Sequence, residues 1–200
     1  RPMSQLKSFT LSAARPLPVI LLADVSGSMG ADGKINALND ALRDMVSAFK
    51  TSEDLRAEVH LSVITFGGRG AHHHIPLTPA TQVIWQDAPA SGGTPMGSAF
   101  ELARQMIADR EVISGRAYTP TLVLMSDGQP NDEWRAPLAA LLADERAKKA
   151  MRMALAIGDD ADVAQRDFAG GQGLGRLHAQ PVQVEVAGVL AGLEELVRHL

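Results

Sequence analysis

Three apolar runs, each ending on a short loop of acids, hydroxyls and glycines, constrain the fold of this chain more than any other feature. Leu17 to Ala23 closes on Asp24, Thr121 to Met125 runs into Ser126-Asp127-Gly128, and Met151 to Ile157 into Gly158-Asp159-Asp160. Continuous apolar runs of this length are how central strands read when a parallel sheet buries both of their faces. Between the first two runs, Ile35, Leu38, Leu42, Met45, Val46 and Phe49 recur three or four apart, which predicts a helix of about four turns with one buried stripe. A second stripe comes from Met96, Ala99, Ala103, Met106 and Ile107. Thr94 is expected as its N-cap, Pro95 in its first turn and Gly115 at its end.

Val59, Leu61 and Val63 alternate with His60, Ser62 and Ile64 up to Phe66, and Gly67-Gly68-Arg69-Gly70 then turns into a short segment, His72 to Leu77. That pair predicts a hairpin whose second strand lies at a sheet edge. Gly170, Gly171, Gly173 and Gly175 mark a loop before a last short strand near Val182 to Val184, and Val186 to Leu200 reads as a closing amphipathic helix. The expectation is a Rossmann-like α/β fold: a doubly wound, mostly parallel six-stranded sheet with helices on both faces and one antiparallel edge strand, in a single domain over residues 3–200. Met3 reads as a natural start, so Arg1 and Pro2 are left outside that domain. In such a sheet the ligand crevice lies at the carboxyl ends of the strands, where their order reverses. Asp24 and Asp127 are the acids that stand there.

Composition narrows the function classes. With 200 residues, 46% of them hydrophobic and 21% charged, one substantial core is expected. A net charge of -4 with mixed signs offers no basic stripe for a phosphate backbone, which argues against nucleic acid. The absence of cysteine removes thiolate metal sites and Cys nucleophiles, and it suits a reducing compartment. That compartment makes cytoplasm the expected location, and since no apolar stretch reaches the roughly 18 residues of a spanning helix, no membrane contact is expected.

Asp24-Val25-Ser26-Gly27-Ser28 presents a carboxylate and two hydroxyls on alternate residues of a tight loop. Taken alone it reads equally as a helix N-cap region or as a cation site. If a cation, oxygen donors without thiolate or imidazole suit Mg2+, Mn2+ or Ca2+ rather than zinc or copper. Neutral hydroxyl ligands would leave positive charge on the ion and an affinity for one more anionic oxygen, such as a partner's Asp or Glu.

Together with the later loop Ser91-Gly92-Gly93-Thr94-Pro95 and with Asp127, this order resembles the Asp-x-Ser-x-Ser, Thr, Asp pattern of the von Willebrand factor A family's metal-ion-dependent adhesion site. The resemblance covers nearly the whole chain, and all five positions are filled. It implies one divalent cation, Mg2+ first and Mn2+ or Ca2+ next. Ser26, Ser28 and Thr94 would bind it directly or nearly so, Asp24 and Asp127 partly through water, with the last position left for a partner's carboxylate. Within that family, Ser126-Asp127-Gly128-Gln129-Pro130-Asn131-Asp132-Glu133-Trp134 and Leu17-Pro18-Val19 look most like bacterial TerY-type proteins of tellurite resistance and stress response. That narrower resemblance implies kinase-like or phosphatase-like partners. The cysteine-rich zinc module that some of those proteins carry has no counterpart in this sequence.

Other constellations read more plainly. His72-His73-His74 is expected to be a solvated edge strand, since neighbours alternate faces and only His72 and His74 share one. Asp159, Asp160 and Asp162 suit helix capping, and Glu101 with Arg104 an ordinary surface pair. Trp134, just beyond the Asp127 loop, is a candidate rim contact for a partner against partial burial as the plainer reading; Trp85 is treated likewise. Ser28 to Ile35 fails as a phosphate loop at both its first Gly and its closing Ser/Thr. A Mg2+-dependent phosphohydrolase with Asp24 as nucleophile would want a second Asp as general acid two residues on, where Ser26 stands. The expected function is therefore a metal-dependent protein-interaction module and not an enzyme. A scaffold with a purely structural metal, and that phosphohydrolase, are the alternatives. The resemblance also implies that ligand binding could be coupled to movement of the helix over Val186 to Leu200.

Overall fold

The computed structural model describes residues 14–51, 57–158, 163–170, 174–177 and 191. Its centre is a six-stranded sheet in the order β3-β2-β1-β4-β5-β6. The strands are β1 (Arg15–Asp24), β2 (Ala57–Gly67), β3 (Gly70–Pro79), β4 (Thr121–Ser126), β5 (Met151–Ile157) and β6 (Leu174–Leu177). All neighbouring pairs are parallel except β2 with β3, the edge hairpin expected from the glycine turn. This is the doubly wound α/β fold with one antiparallel edge strand.

The helices are α1 (Lys34–Thr51), α2 (Met96–Ala108), α3 (Arg135–Ala143) and α4 (Val163–Ala169). Side chains alternate across β1 and so divide the core into two layers. Val19, Leu21 and Ala23 pack with Leu38, Leu42, Met45 and Phe49 of α1. Ile20 and Leu22 face the other way, onto Phe100 of α2, Leu138 of α3 and Phe168 of α4. Because β1 and β4 are covered on both faces, their sequences have no polar face to show, which is why they read as unbroken apolar runs.

Two boundaries differ from expectation. Helix α2 stops at Ala108 rather than Gly115; Asp109, its C-cap, is followed by a turn in which the Asp109 carboxylate accepts the Glu111 N–H. The stretch read as a glycine loop contains β6, which pairs Gly175 with Leu155. Backbone pairing with a buried neighbour outweighs the weak strand propensity of a lone Gly. Val182 to Val184, Val186 to Leu200 and the capping acids Asp159, Asp160 and Asp162 lie outside the described residues, apart from Ala191.

The connection from β1 passes to one side of the sheet and the chain later returns to β4 on the other. The carboxyl ends of β1 and β4 are thus the point where strand order reverses. Asp24 ends one strand and Ser126 the other.

Candidate metal centre

Asp24 is wholly buried. Its Oδ1 accepts the Ser26 backbone N–H at 2.8 Å, and its Oδ2 accepts the Ser126 hydroxyl at 2.5 Å. Burial pushes the Asp24 carboxyl above its ordinary range, although these hydrogen bonds from Ser126 and Ser26 pull it back. An acid held charged in this position asks for a nearby cation.

The first loop turns sharply after Ser26, so the two serine hydroxyls face each other, Ser26 Oγ to Ser28 Oγ, at 3.0 Å. Ser28 Oγ also donates to Asp127 Oδ1 at 2.8 Å, across from the β4 end. The other oxygen, Asp127 Oδ2, receives Lys34 Nζ at 2.9 Å. That bond holds the Lys34 ammonium above its usual range. The structure therefore brings Asp24, Ser26, Ser28 and Asp127 into one connected oxygen cluster.

Thr94, buried at 8% exposure, lies on the second loop, whose backbone is tied to the first. Gly27 N–H donates to Gly92 O at 2.8 Å, Ser91 N–H to Val25 O at 2.8 Å and Gly68 N–H to Ser91 O at 2.6 Å. The loops touch so closely that a Cβ on Gly92 would sit 2.3 Å from Gly68 Cα, and Gly92 has φ +70°, so no other residue fits without strain. Thr94 is not the N-cap of α2. Pro95 precedes the helix without any side-chain cap of its own. The helix-start N–H groups of Gly97 and Ser98 are instead taken by the Asp132 carboxylate, both at 3.0 Å. A charged acceptor from a distant loop outcompetes the local hydroxyl and relieves Thr94 of capping. Asn131 fixes the Thr94 backbone in both directions, its Oδ1 accepting the Thr94 N–H at 2.9 Å and its own N–H donating to Thr94 O at 3.1 Å.

The donor chemistry fits a hard divalent cation. The side-chain atoms that could ligate an ion are carboxylate and hydroxyl oxygens 2.8–3.0 Å apart, with the Lys34 ammonium already on Asp127 Oδ2. Among the described residues no group of three or more His, Asp or Glu could hold a metal, so an ion here would have to lean on serine and threonine hydroxyls. The histidines turn elsewhere: His72 Nε2 pairs with Thr65 Oγ1 at 3.0 Å, and His74 Nε2 donates to Gln86 O at 2.8 Å while its ring meets Trp85.

Trp134 does not stand on a rim. It is 7% exposed, packed in the α2–α3 core layer with the Arg135 guanidinium 4.5 Å above its ring. The turn after Asp127 places it beneath α3, where an indole gains more from burial than from water. Glu101 and Arg104 form the expected surface pair, 2.7 Å apart.

Reading by residue type passed over Ser126, Asn131, Asp132 and Lys34. The first three lie close together from the end of β4 onward and bond to residues 34 to 102 positions away in sequence, which no local pattern reveals. Lys34 did carry a signal. It opens α1, whose first turn holds no acid, although a cation there opposes the helix dipole.

The family model for the von Willebrand factor type A domain matches residues 19–129. The magnesium-chelatase 60 kDa subunit of Rhodobacter capsulatus is 31% identical over 156 residues, covering 74% of this chain and 26% of that protein. Among solved structures, the von Willebrand factor type A protein from Catenulispora acidiphila superposes with a TM-score of 0.62 at 20% identity, over 92% of this chain and 42% of the other. Proximal thread matrix protein 1 from the mussel byssus, described with a zinc-occupied MIDAS motif, gives 0.59 at 15% identity, over 92% and 48%. The chain thus spans about a quarter of the curated relative and less than half of these two solved chains.

Proposed function

Because the chain belongs to the von Willebrand factor type A domain family, we propose that it is a metal-ion-dependent protein-interaction module whose one divalent cation joins it to an acidic side chain of a partner. The observation that carries this reading is the oxygen cluster at the strand crossover, in which Ser28 Oγ lies 3.0 Å from Ser26 Oγ and 2.8 Å from Asp127 Oδ1, beside the buried Asp24. Ser26, Ser28 and Thr94 would hold the ion directly, and Asp24 and Asp127 would act partly through water. The ion supplies a Lewis-acidic position open to a carboxylate oxygen. This chain's own part is to hold the loops together at a fixed spacing through the Gly27–Gly92 and Asn131–Thr94 hydrogen bonds, so that the partner's acid meets a preformed site.

Mg2+ is the favoured ion on donor hardness, with Mn2+ and Ca2+ next; the zinc in the mussel protein's site is a property of that protein. The reading is not enzymatic. Asp24 as a nucleophile would have to give up two hydrogen bonds from inside a buried setting, and Ser26 offers no acid for a leaving group. A scaffold with a purely structural metal is the alternative, distinguished by whether chelation lowers stability or only partner binding. Among the described residues no helix is long and apolar enough to cross a membrane.

The partner in this reading is a kinase-like or phosphatase-like protein of a bacterial tellurite-resistance or stress system, as for TerY-type proteins. The likeness to a magnesium-chelatase subunit favours a second reading, in which the module docks onto another subunit of a larger enzyme. Both use the same metal and the same acid.

Calorimetric titration of Mg2+, Mn2+ and Ca2+ into chelator-treated protein tests the site. One saturable site, lost in Asp24→Ala and Thr94→Ala proteins that remain folded, is expected. Absence of binding to the folded wild-type protein would overturn the proposal.

A further inference from the structure

Lys34 breaks a local rule, and the break has a compensation. As the first residue of α1 it sets a positive charge at the positive end of a helix dipole, with no acid in that turn to offset it. Its side chain does not escape into water. The stem passes the end of β5, where a Cβ on Gly158 would lie 3.7 Å from Lys34 Cε, and the ammonium reaches Asp127 Oδ2 at 2.9 Å. Only 23% of the Lys34 side chain and 1% of the Asp127 side chain are exposed. An enclosed pair of this kind is screened far less than a surface ion pair.

We propose that Lys34 is a tethered cation that shares Asp127 with the metal, weakening the ion's hold while leaving the loaded site positive toward a partner's acid. The inference rests on the proposed metal site. Two carboxylates, Asp24 and Asp127, would cancel a divalent ion and leave little pull on a third carboxylate. With Lys34 on Oδ2 of Asp127, and with the neighbouring Asp32 exposed to solvent and so screened, a net positive charge is left within the enclosed part of the site to meet the partner's anion. The same charge repels the incoming metal and competes for Asp127. When the metal leaves, Lys34 keeps Asp127 paired, so the loops need not rearrange to hide an uncompensated acid. Affinity for metal is thereby exchanged for affinity for the anionic ligand and for a metal-free state that keeps its shape.

The test uses Mn2+ alone as the probe, titrated calorimetrically into chelator-treated wild-type, Lys34→Met and Lys34→Arg proteins, with thermal melting of each in EDTA. Removing the charge is expected to tighten Mn2+ binding by about tenfold or more and to lower the melting midpoint in EDTA. Lys34→Arg should follow the wild type in both. If Lys34→Met proves unfolded, Lys34→Gln keeps most of the stem and carries the same expectation. A neutral variant that binds Mn2+ with the wild-type constant, or more weakly, overturns the inference while leaving the metal site standing. If neither wild-type nor neutral variant binds Mn2+ while folded, the inference falls together with the proposed function.

Discussion

Two polar assemblies lie within a few residues of each other at the top of this sheet, and they are built on opposite principles. In the first, side chains clasp backbone groups through direct hydrogen bonds. Asn39 donates from Nδ2 to Ala88 O at 3.1 Å and accepts the Ala88 N–H at 2.9 Å, while Asp132 takes two helix N–H groups and Asn131 clasps Thr94 from both sides. In the second, hydroxyl protons bridge Ser26 Oγ to Ser28 Oγ and Ser28 Oγ to Asp127 Oδ1, and the carboxylate and hydroxyl oxygens keep further lone pairs. The first assembly is complete as it stands and sets the shape of the loops. The second is rich in acceptors and gains from a cation.

The comparison is sharpest where the braces are broken. Asn39→Ala would strand a buried N–H and a buried C=O, and should cost about 2–4 kcal/mol in urea unfolding, by the same amount with EDTA as with Mg2+. Asp132→Ala removes the cap from α2 and should cost about 1–2 kcal/mol, again independent of metal. A brace variant whose loss appeared only in the presence of metal would blur the distinction. Ser28→Ala should do the reverse, changing stability in EDTA by less than about 0.5 kcal/mol while weakening metal binding tenfold or more by calorimetry.

Smaller effects probe the margins. Burial raises the Asp24 carboxyl above its unfolded value of 3.8, so its contribution to stability is fully present below that value and is lost as pH rises through the raised folded value. In EDTA, wild-type protein should therefore lose stability relative to Asp24→Asn as pH rises across that window, and saturating metal should flatten the difference. A difference that moved the other way would mean the carboxylate is already compensated without an ion. Least of all should come from Arg104→Ala. The Glu101 pair is at the surface, and its removal should shift the unfolding free energy by only a few tenths of a kcal/mol.

The sheet was legible because its central strands are buried on both faces and so announce themselves as apolar runs, and because α1 and α2 carry one unbroken stripe each. The oxygen cluster was legible through the resemblance of Asp24, Ser26, Ser28, Thr94 and Asp127 to the family's adhesion-site pattern, since the first loop alone reads equally as a helix cap. What local reading missed depends on distance in the chain. Thr94 looks like an N-cap until Asp132, from the other side of the crevice, takes the helix N–H groups. Trp134 looks like a rim residue until α2 and α3 close over it. Gly175 reads as loop until β5 offers it a ladder. Lys34 alone left a trace that could have been followed, a cation where the helix dipole disfavours one.

The most direct test of the central claim is the anomalous diffraction of crystals grown with Mn2+, recorded at the manganese edge. The account predicts a single strong peak within roughly 2.5 Å of the Ser26 and Ser28 hydroxyl oxygens, in the crevice between the ends of β1 and β4. A peak on the His72 to His74 strand, or none in the crevice of a folded, Mn2+-saturated protein, would contradict it.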